Sequence, residues 1–185
     1  NYSENSIIIE VFTLNRGKCS GIVYGGNSRK IKKNFQIGNK IFINFKSKGE
    51  NKIGYFSVEL IKPVSPFFFD DKKRSICILS ASTILKILLP ERQINKKIYF
   101  SFEEFLNNLT DENWIKFYIF WELSLVKELG FDINLKDDIN HLSSKDDNVL
   151  INNRSFKIPQ LMIGKFDKKI SKNDIKEALI FNKNL

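Results

Sequence analysis

A cluster of positive charges behind a pair of glycines is the part of this sequence whose residue types point most directly to a chemistry. Four cations fall within five residues, namely Arg29, Lys30, Lys32 and Lys33, and segment 25–38 contains no acid. The pair Gly25-Gly26 permits turn conformations with positive φ. A short cationic connection between two strands is how a small β-barrel presents a groove to a phosphate backbone. The alternative is a solvated hairpin loop, since basic runs are often only surface.

Positive charge is concentrated in the N-terminal third of the 185-residue chain. Residues 1–62 hold eleven bases and four acids, a net charge of +7, whereas residues 63–185 hold 19 bases and 17 acids, a net charge of +2. A uniform coding bias would not load one third in this way, so we expect a polyanionic partner, with nucleic acid as the first candidate. The cations expected to support phosphate contacts are Arg16, Lys18, Lys40, Lys46 and Lys48.

Residue types that carry catalytic or metal chemistry are few. Cys19, Cys77 and the single His141 have no metal-ligand spacing, and the sequence has neither a P-loop nor a G-x-S-x-G motif. The acidic pairs at 137–138 and 146–147 favour a solvated loop over a metal site. We therefore expect no catalytic residue, no cofactor and no bound metal. Cysteine usage and the lack of an apolar run of about 18 residues favour a cytoplasmic protein without a membrane span.

Four short runs rich in β-branched and aromatic residues predict a small antiparallel barrel or meander. They cover residues 6–13, 19–24, 39–47 and 53–61, and Pro63 and Pro66 close this region. The third run alternates, which predicts a half-buried strand whose outer face carries Lys40, Phe42, Asn44 and Lys46. Phe42 or Tyr55 would stack on nucleic-acid bases if exposed, although core packing is the favoured role for both.

After Pro66 the pattern becomes helical. The pair Asp70-Asp71 caps a helix that runs up to Pro90, with its apolar positions at Ile76, Leu79, Ile84, Ile87 and Leu88. Further helices are predicted over 101–109, over 111–129 with Thr110 as N-cap and Gly130 as stop, and over 172–182 with Ser171 as cap. The helix over 111–129 is apolar around nearly its whole circumference, so we expect it to be central and buried. Residues 132–157 are polar and predict an irregular loop.

Several stretches, in their order and spacing, resemble the bacterial RecO family of recombination mediators in its alphaproteobacterial form. They are ENS at 4–6 before the first strand, GIV at 21–23, GGNSR at 25–29, GYFSVEL at 54–60 with Pro63, LLPER at 88–92, FWEL at 120–123 and LGF at 129–131. The match extends from Tyr2 to about Phe131, with a weaker tail at 158–159 and 178–185.

The resemblance implies an α+β protein with an OB-fold barrel over 1–64 and a helical domain over 67–185. It implies a DNA-binding recombination mediator that binds single- and double-stranded DNA, anneals complementary strands and is not a hydrolase. The implied partners are RecR, the C-terminal tail of the single-stranded-DNA-binding protein and, indirectly, RecA, which is loaded on the cleared strand. The implied location is the cytoplasm, at the nucleoid.

This sequence departs from the family pattern in two places. The family's first barrel strand precedes the ENS element and is absent here, so we expect a truncated barrel, and we expect truncation at the C-terminus as well. Many members carry a four-cysteine zinc module after Gly130-Phe131, whereas residues 132–157 have no cysteine. We expect this region to be a degenerate, metal-free module or a plain hairpin. An RNA-binding OB module is the alternative function, and an enzyme is the third and least favoured class.

Overall fold

The four strands of the larger sheet precede the long helices in this chain, which makes the fold α+β. The computed structural model describes residues 4–46, 49, 53–130, 148–151, 154–163 and 170–184. The chain forms two compact units, Asn1–Tyr99 and Phe100–Leu185. The strand-to-helix change falls between 62 and 72, as the prolines predict, but the division between the compact units lies further along the chain, at Tyr99. Within the described residues, no helix is both long enough and apolar enough to cross a membrane.

Strands β1 (Ser6–Thr13), β2 (Gly17–Tyr24), β3 (Lys40–Lys46) and β4 (Gly54–Lys62) form one sheet in the order β1-β2-β4-β3. The pairs β1–β2 and β3–β4 are antiparallel hairpins, as predicted. The pair β2–β4 is parallel, so a purely antiparallel barrel was wrong in this one pairing. The connection from β2 to β3 contains a short helix, α1 (Arg29–Lys32), and crosses over. The β3–β4 hairpin that follows brings β4 alongside β2. This arrangement agrees with the OB fold that the resemblance implied.

Residues of all four strands pack into one apolar cluster, which we call the barrel core. Cys19, Val23 and Phe56 are its buried centre, and one face of β1 and β3 packs against them. Gly54 lets β4 approach β3 closely, since a Cβ there would lie 2.1 Å from the ring of Phe45. Burial raises the pKa of the Cys19 thiol. That thiol therefore acts as a small apolar group inside the barrel.

Helix α2 (Lys72–Leu88) begins at Asp71, as predicted, and the Asp71 carboxylate accepts hydrogen bonds of 3.0 Å from the amides of Lys73 and Arg74. The predicted apolar face of this helix was wrong. Its buried residues are Ile78, Ala81 and Leu85, whereas four of the predicted positions are exposed, namely Ile76, Leu79, Ile87 and Leu88. Both sets recur at helical spacing, so periodicity alone could not decide which of them faces the core.

Helices α3 (Lys96–Asn107), α4 (Trp114–Glu128), α5 (Gln160–Ile163) and α6 (Lys172–Lys183) follow. Helix α3 begins five residues before the predicted start, and the side chain of Asn95 accepts from the amide of Ile98 at 3.0 Å. Thr110 is not the cap of α4; Asn113 occupies that position. Within the second unit, α4 is buried at Trp114, Tyr118, Ile119, Trp121 and Leu125 and half-buried at most of its other positions, so the prediction of a central, buried helix holds for one side of it. Ile119 packs with residues of α5 and α6.

The cap of the last helix agrees with the sequence prediction. Ser171 accepts from the amide of Asp174 at 3.1 Å, and the Asp174 carboxylate accepts from the amide of Ser171 at 2.9 Å. This reciprocal pair is a capping box, and the hydrogen bonds lower the pKa of Asp174.

The region expected to be irregular is partly a hairpin. Strands β5 (Asn148–Ile151) and β6 (Arg154–Lys157) pair antiparallel, so the irregular-loop prediction was wrong there and the plain-hairpin alternative describes these residues. The two acidic pairs and His141 lie outside the described residues. Among the residues described, no group of three or more His, Cys, Asp or Glu side chains is placed to hold a metal ion.

Candidate nucleic-acid interface

The four clustered cations lie on a single helical turn between β2 and β3. Helix α1 (Arg29–Lys32) runs directly into a 3-10 turn (Lys33–Phe35), so the predicted loop is helical. A helix rotates about 100° per residue, which spreads the four cations over an arc of about 160° centred opposite Ile31. Ile31 packs into the barrel core, and the four cations are exposed. We call these residues, Arg29, Lys30, Lys32 and Lys33, the cationic turn.

Contacts on both sides hold the cationic turn against the barrel. Before it, Gly25 takes a φ of +68°, and the Asn27 side chain donates a hydrogen bond of 2.9 Å to the carbonyl of Glu4. After it, Phe35 packs on the same core as Ile31. The Asn39 side chain then accepts from the amide of Val64 at 2.8 Å. The turn is therefore held on either side by hydrogen bonds to residues just outside β1 and β4, and by its own apolar residues.

The cationic turn concentrates like charge. Arg29 and Lys33 are four residues apart, and Arg29–Lys32 and Lys30–Lys33 are three apart, spacings at which helical like charges repel. The turn itself carries no acid. In the part of the chain that the structure describes, no acidic side chain forms a salt bridge with any of the four. A bound polyanion would offset this repulsion, because each phosphate would place a negative charge beside the cations.

Two further predicted cations, Lys40 and Lys46, lie at the ends of β3. The strand alternates as predicted, and both lysines are exposed on its outer face. In the register with β4, Lys40 is opposite Lys62 and Lys46 is opposite Tyr55. Lys40 is the first residue of β3, the strand that follows the cationic turn in the chain. Lys48 lies outside the described residues.

Arg16 and Lys18 do not join the cationic turn. They lie at the start of β2, and the turn follows its end, about 23 Å away along an eight-residue strand. The guanidinium of Arg16 lies over the ring of Phe45, 4.7 Å from its centroid. The Lys18 ammonium donates a hydrogen bond of 2.6 Å to the carbonyl of Lys86, at the end of α2. These two cations therefore have intramolecular roles in addition to any contact with DNA.

The outer face of the sheet exposes aromatic rings. Phe42 is 56% exposed, so core packing was the wrong expectation for it. Tyr55 is half-buried and stacks on Tyr24, with ring centroids 5.0 Å apart and an angle of 16° between the planes. Tyr24, which is 62% exposed, was not singled out from the sequence, and neither was Lys62. The outward alternation of β2 would have signalled Tyr24, but only the β2–β4 and β3–β4 pairings bring these residues together.

Comparison with known proteins assigns both halves of the chain to one family. The model described as "Recombination protein O N terminal" matches residues 1–64, and "Recombination protein O C terminal" matches residues 70–159. The DNA repair protein RecO of Wolbachia pipientis subsp. Culex pipiens (strain wPip) is 34% identical over 136 residues, which are 72% of this chain and 55% of that protein. That of Roseobacter denitrificans is 30% identical over 153 residues, which are 78% of this chain and 64% of that protein.

The similarity extends to other bacteria at the same level. The DNA repair protein RecO of Ehrlichia chaffeensis is 33% identical over 136 residues, which are 72% of this chain and 55% of that protein. The chain thus spans little more than half the length of several of these relatives.

Proposed function

This chain belongs to the recombination protein O family, and from that premise we propose that it is a DNA-binding recombination mediator. Its relatives are named as DNA repair proteins, and a role in DNA repair and recombination follows from the family. We propose that residues 1–64 form the DNA-binding domain and that residues 67–185 form the protein-interaction domain. The activity is binding, without a chemical step.

The cationic turn is the observation that supports this function best. Its four exposed cations project from a turn whose Ile31 and Phe35 pack on the barrel core, so the backbone that carries them is already ordered before binding. Contacts of this kind go to phosphates and carry no sequence information. Lys40 and Lys46 extend the positive surface along β3, and Arg16, Lys18 and Lys48 supplement it. Annealing follows because neutralised strands repel each other less.

The proposed partners follow from the family. They are single- and double-stranded DNA, RecR, the C-terminal tail of the single-stranded-DNA-binding protein and, indirectly, RecA. We place the protein in the cytoplasm, at the nucleoid. In this scheme the barrel binds the DNA strand, and the helical domain binds the single-stranded-DNA-binding protein and RecR.

Annealing of complementary strands coated with single-stranded-DNA-binding protein tests the proposal. The wild-type chain should accelerate annealing, and the variant with Arg29, Lys30, Lys32 and Lys33 changed to Ala should not. A matched control removes the same charge elsewhere by changing four exposed lysines to Ala, namely Lys72, Lys73, Lys96 and Lys176. The control should retain the activity. A wild-type chain that neither binds DNA nor accelerates annealing would refute the proposal, and equal losses in both variants would reject the cationic turn as the site.

A parallel titration separates DNA from RNA as the ligand. The RNA-binding alternative requires contacts that read the 2′-hydroxyl, which phosphate contacts do not provide. We expect single strands of DNA and RNA of the same sequence to compete with similar affinity or with DNA preferred. A strong preference for RNA would favour the alternative function.

A further inference from the structure

The tyrosine pair, Tyr24 and Tyr55, is the feature of the first unit that phosphate binding leaves unused. We propose that a base of single-stranded nucleic acid stacks on this pair while the adjoining phosphates contact the cationic turn. The inference rests on the proposed DNA-binding function and adds to it a site for an unpaired base.

The sheet register places the two rings on the same outer face. Strands β2 and β4 are parallel, and Ile22 is paired with Tyr55, so these two side chains are on the same face of the sheet. Tyr24 is two residues after Ile22 in β2 and is therefore on that face as well. The planes of the two rings are nearly parallel, at 16° to each other, and the ring centroids are 5.0 Å apart. Each ring therefore restricts the other, which reduces the ordering cost of a third aromatic plane added to the stack.

Tyr24 is held as an exposed platform. It is 62% exposed although it is the last residue of a strand whose preceding three residues are all buried. The backbone beneath it is rigid, because Val23 is part of the barrel core and β2 pairs with strands on both sides. An exposed aromatic ring on a fixed backbone is the element that sequence-independent single-strand binders use to hold bases, since every base has a π-face.

The surroundings of the pair suit a nucleotide. Lys46 is the neighbour of Tyr55 across β3–β4 and is exposed on the same face. Ser57 and Asn44 form the next exposed pair, with neutral polar side chains. The acid on this face of β4, Glu59, lies one pair further on, opposite Phe42. The positions beside the pair are therefore neutral or positive.

The chain connects the pair directly to the cationic turn. A tight turn follows Tyr24, in which the amide of Ser28 donates to the carbonyl of Gly25 at 3.0 Å. Arg29 comes immediately after this turn. A β-turn keeps its ends within about 7 Å, so the first cation of the turn lies close to the end of β2 that carries Tyr24. One strand can thus contact both features, with its bases on the tyrosines and its backbone on the cations.

The test compares three probes of equal charge per phosphate, namely oligothymidine, an abasic strand and a duplex. Tyr24→Ala should weaken oligothymidine binding roughly 5- to 150-fold, the range expected for loss of one stacked base. Binding to the abasic strand and the duplex should change less than about twofold. Tyr24→Phe should bind all three like the wild type, because the stacking ring remains.

A matched control removes an exposed aromatic ring elsewhere in the same unit. Phe67 is 73% exposed, and Phe67→Ala should leave all three affinities unchanged. Unchanged oligothymidine binding by Tyr24→Ala would overturn the inference. An equal loss on all three probes would overturn it too, because Tyr24 would then contribute nothing specific to an unpaired base. A wild-type chain that binds none of the probes would instead refute the proposed function itself.

Discussion

Removing the cationic turn should change how DNA binding depends on salt. The perturbation is the quadruple change of Arg29, Lys30, Lys32 and Lys33 to Ala. The four side chains are exposed and point away from Ile31, so their loss removes charge without removing a core contact. Loss of like-charge neighbours should leave the turn at least as stable as before. Any loss of affinity therefore reports on the ligand.

The size of the effect follows from the number of cations. Each phosphate neutralised on a single strand contributes about 0.7 to the slope of log affinity against log salt. Four contacts would flatten the slope by about 2.8. When salt rises from about 50 to about 200 mM, the wild type should then lose roughly 50-fold more affinity than the variant. At about 100 mM salt the variant should bind roughly 600-fold more weakly, if counterion release is the whole contribution.

Fluorescence anisotropy of a labelled oligothymidine, repeated at several salt concentrations, measures both quantities. The lysine control, with Lys72, Lys73, Lys96 and Lys176 changed to Ala, has the same net charge as the variant. Its slope should stay close to that of the wild type, because those residues lie outside the proposed interface. An unchanged slope in the quadruple variant would refute the assignment of the phosphate contacts to the cationic turn. The same flattening in both variants would show that net charge, and not this turn, governs binding.

Three further predictions concern stability and metal content. Gly54→Ala should lower the free energy of unfolding by about 1–3 kcal/mol, because the added Cβ would lie 2.1 Å from the Phe45 ring. Urea unfolding measures this change, and an unchanged midpoint would contradict the packing of β4 on β3. Hydrogen bonds from the Arg74 amide and side chain lower the pKa of Asp71 below 3.8, so its stabilising effect is present above that pH and is lost as pH falls through the lower folded pKa. Wild type and Asp71→Ala should therefore differ in stability at pH 6 and converge in acid, and a difference independent of pH would exclude the cap as its cause. Elemental analysis of the purified protein should find no stoichiometric zinc, since Cys19, Cys77 and His141 cannot supply four ligands. A content of one zinc per chain would contradict this prediction.

Local rules explain why several elements followed from sequence. The predicted bounds of β1 are those observed, because a β-branched run between turn residues leaves little choice of conformation. Asp71 and Ser171 both cap the helices assigned to them, since a cap satisfies amides only two or three residues away. Thr110 failed as a cap because the chain makes a further turn in which the Asp111 carboxylate accepts from the Asn113 amide at 2.6 Å. Such competition between neighbouring polar residues is not decided by residue type.

Contacts between distant residues explain what sequence alone did not predict. Helix α2 carries two apolar stripes, and the core selected Ile78, Ala81 and Leu85 over the stripe that includes Ile76 and Leu79. Only the fold could make this choice, because both stripes satisfy the same period. The parallel pairing of β2 with β4 is equally non-local, since a crossover connection separates the two strands.

Part of the candidate interface was likewise predictable from the sequence, and part of it depends on the tertiary structure. The sequence by itself determined the cationic turn, because four cations within five residues stay together in any local conformation. The tertiary structure decided that Ile31 faces the core, that Lys18 is bound to the carbonyl of Lys86, and that Arg16 lies at the far end of β2. It also joined Tyr24 to Tyr55, which are distant in sequence and meet only because β4 pairs with β2. Charge density is a property of neighbours along the chain, whereas a surface depends on which strands pair and in what register.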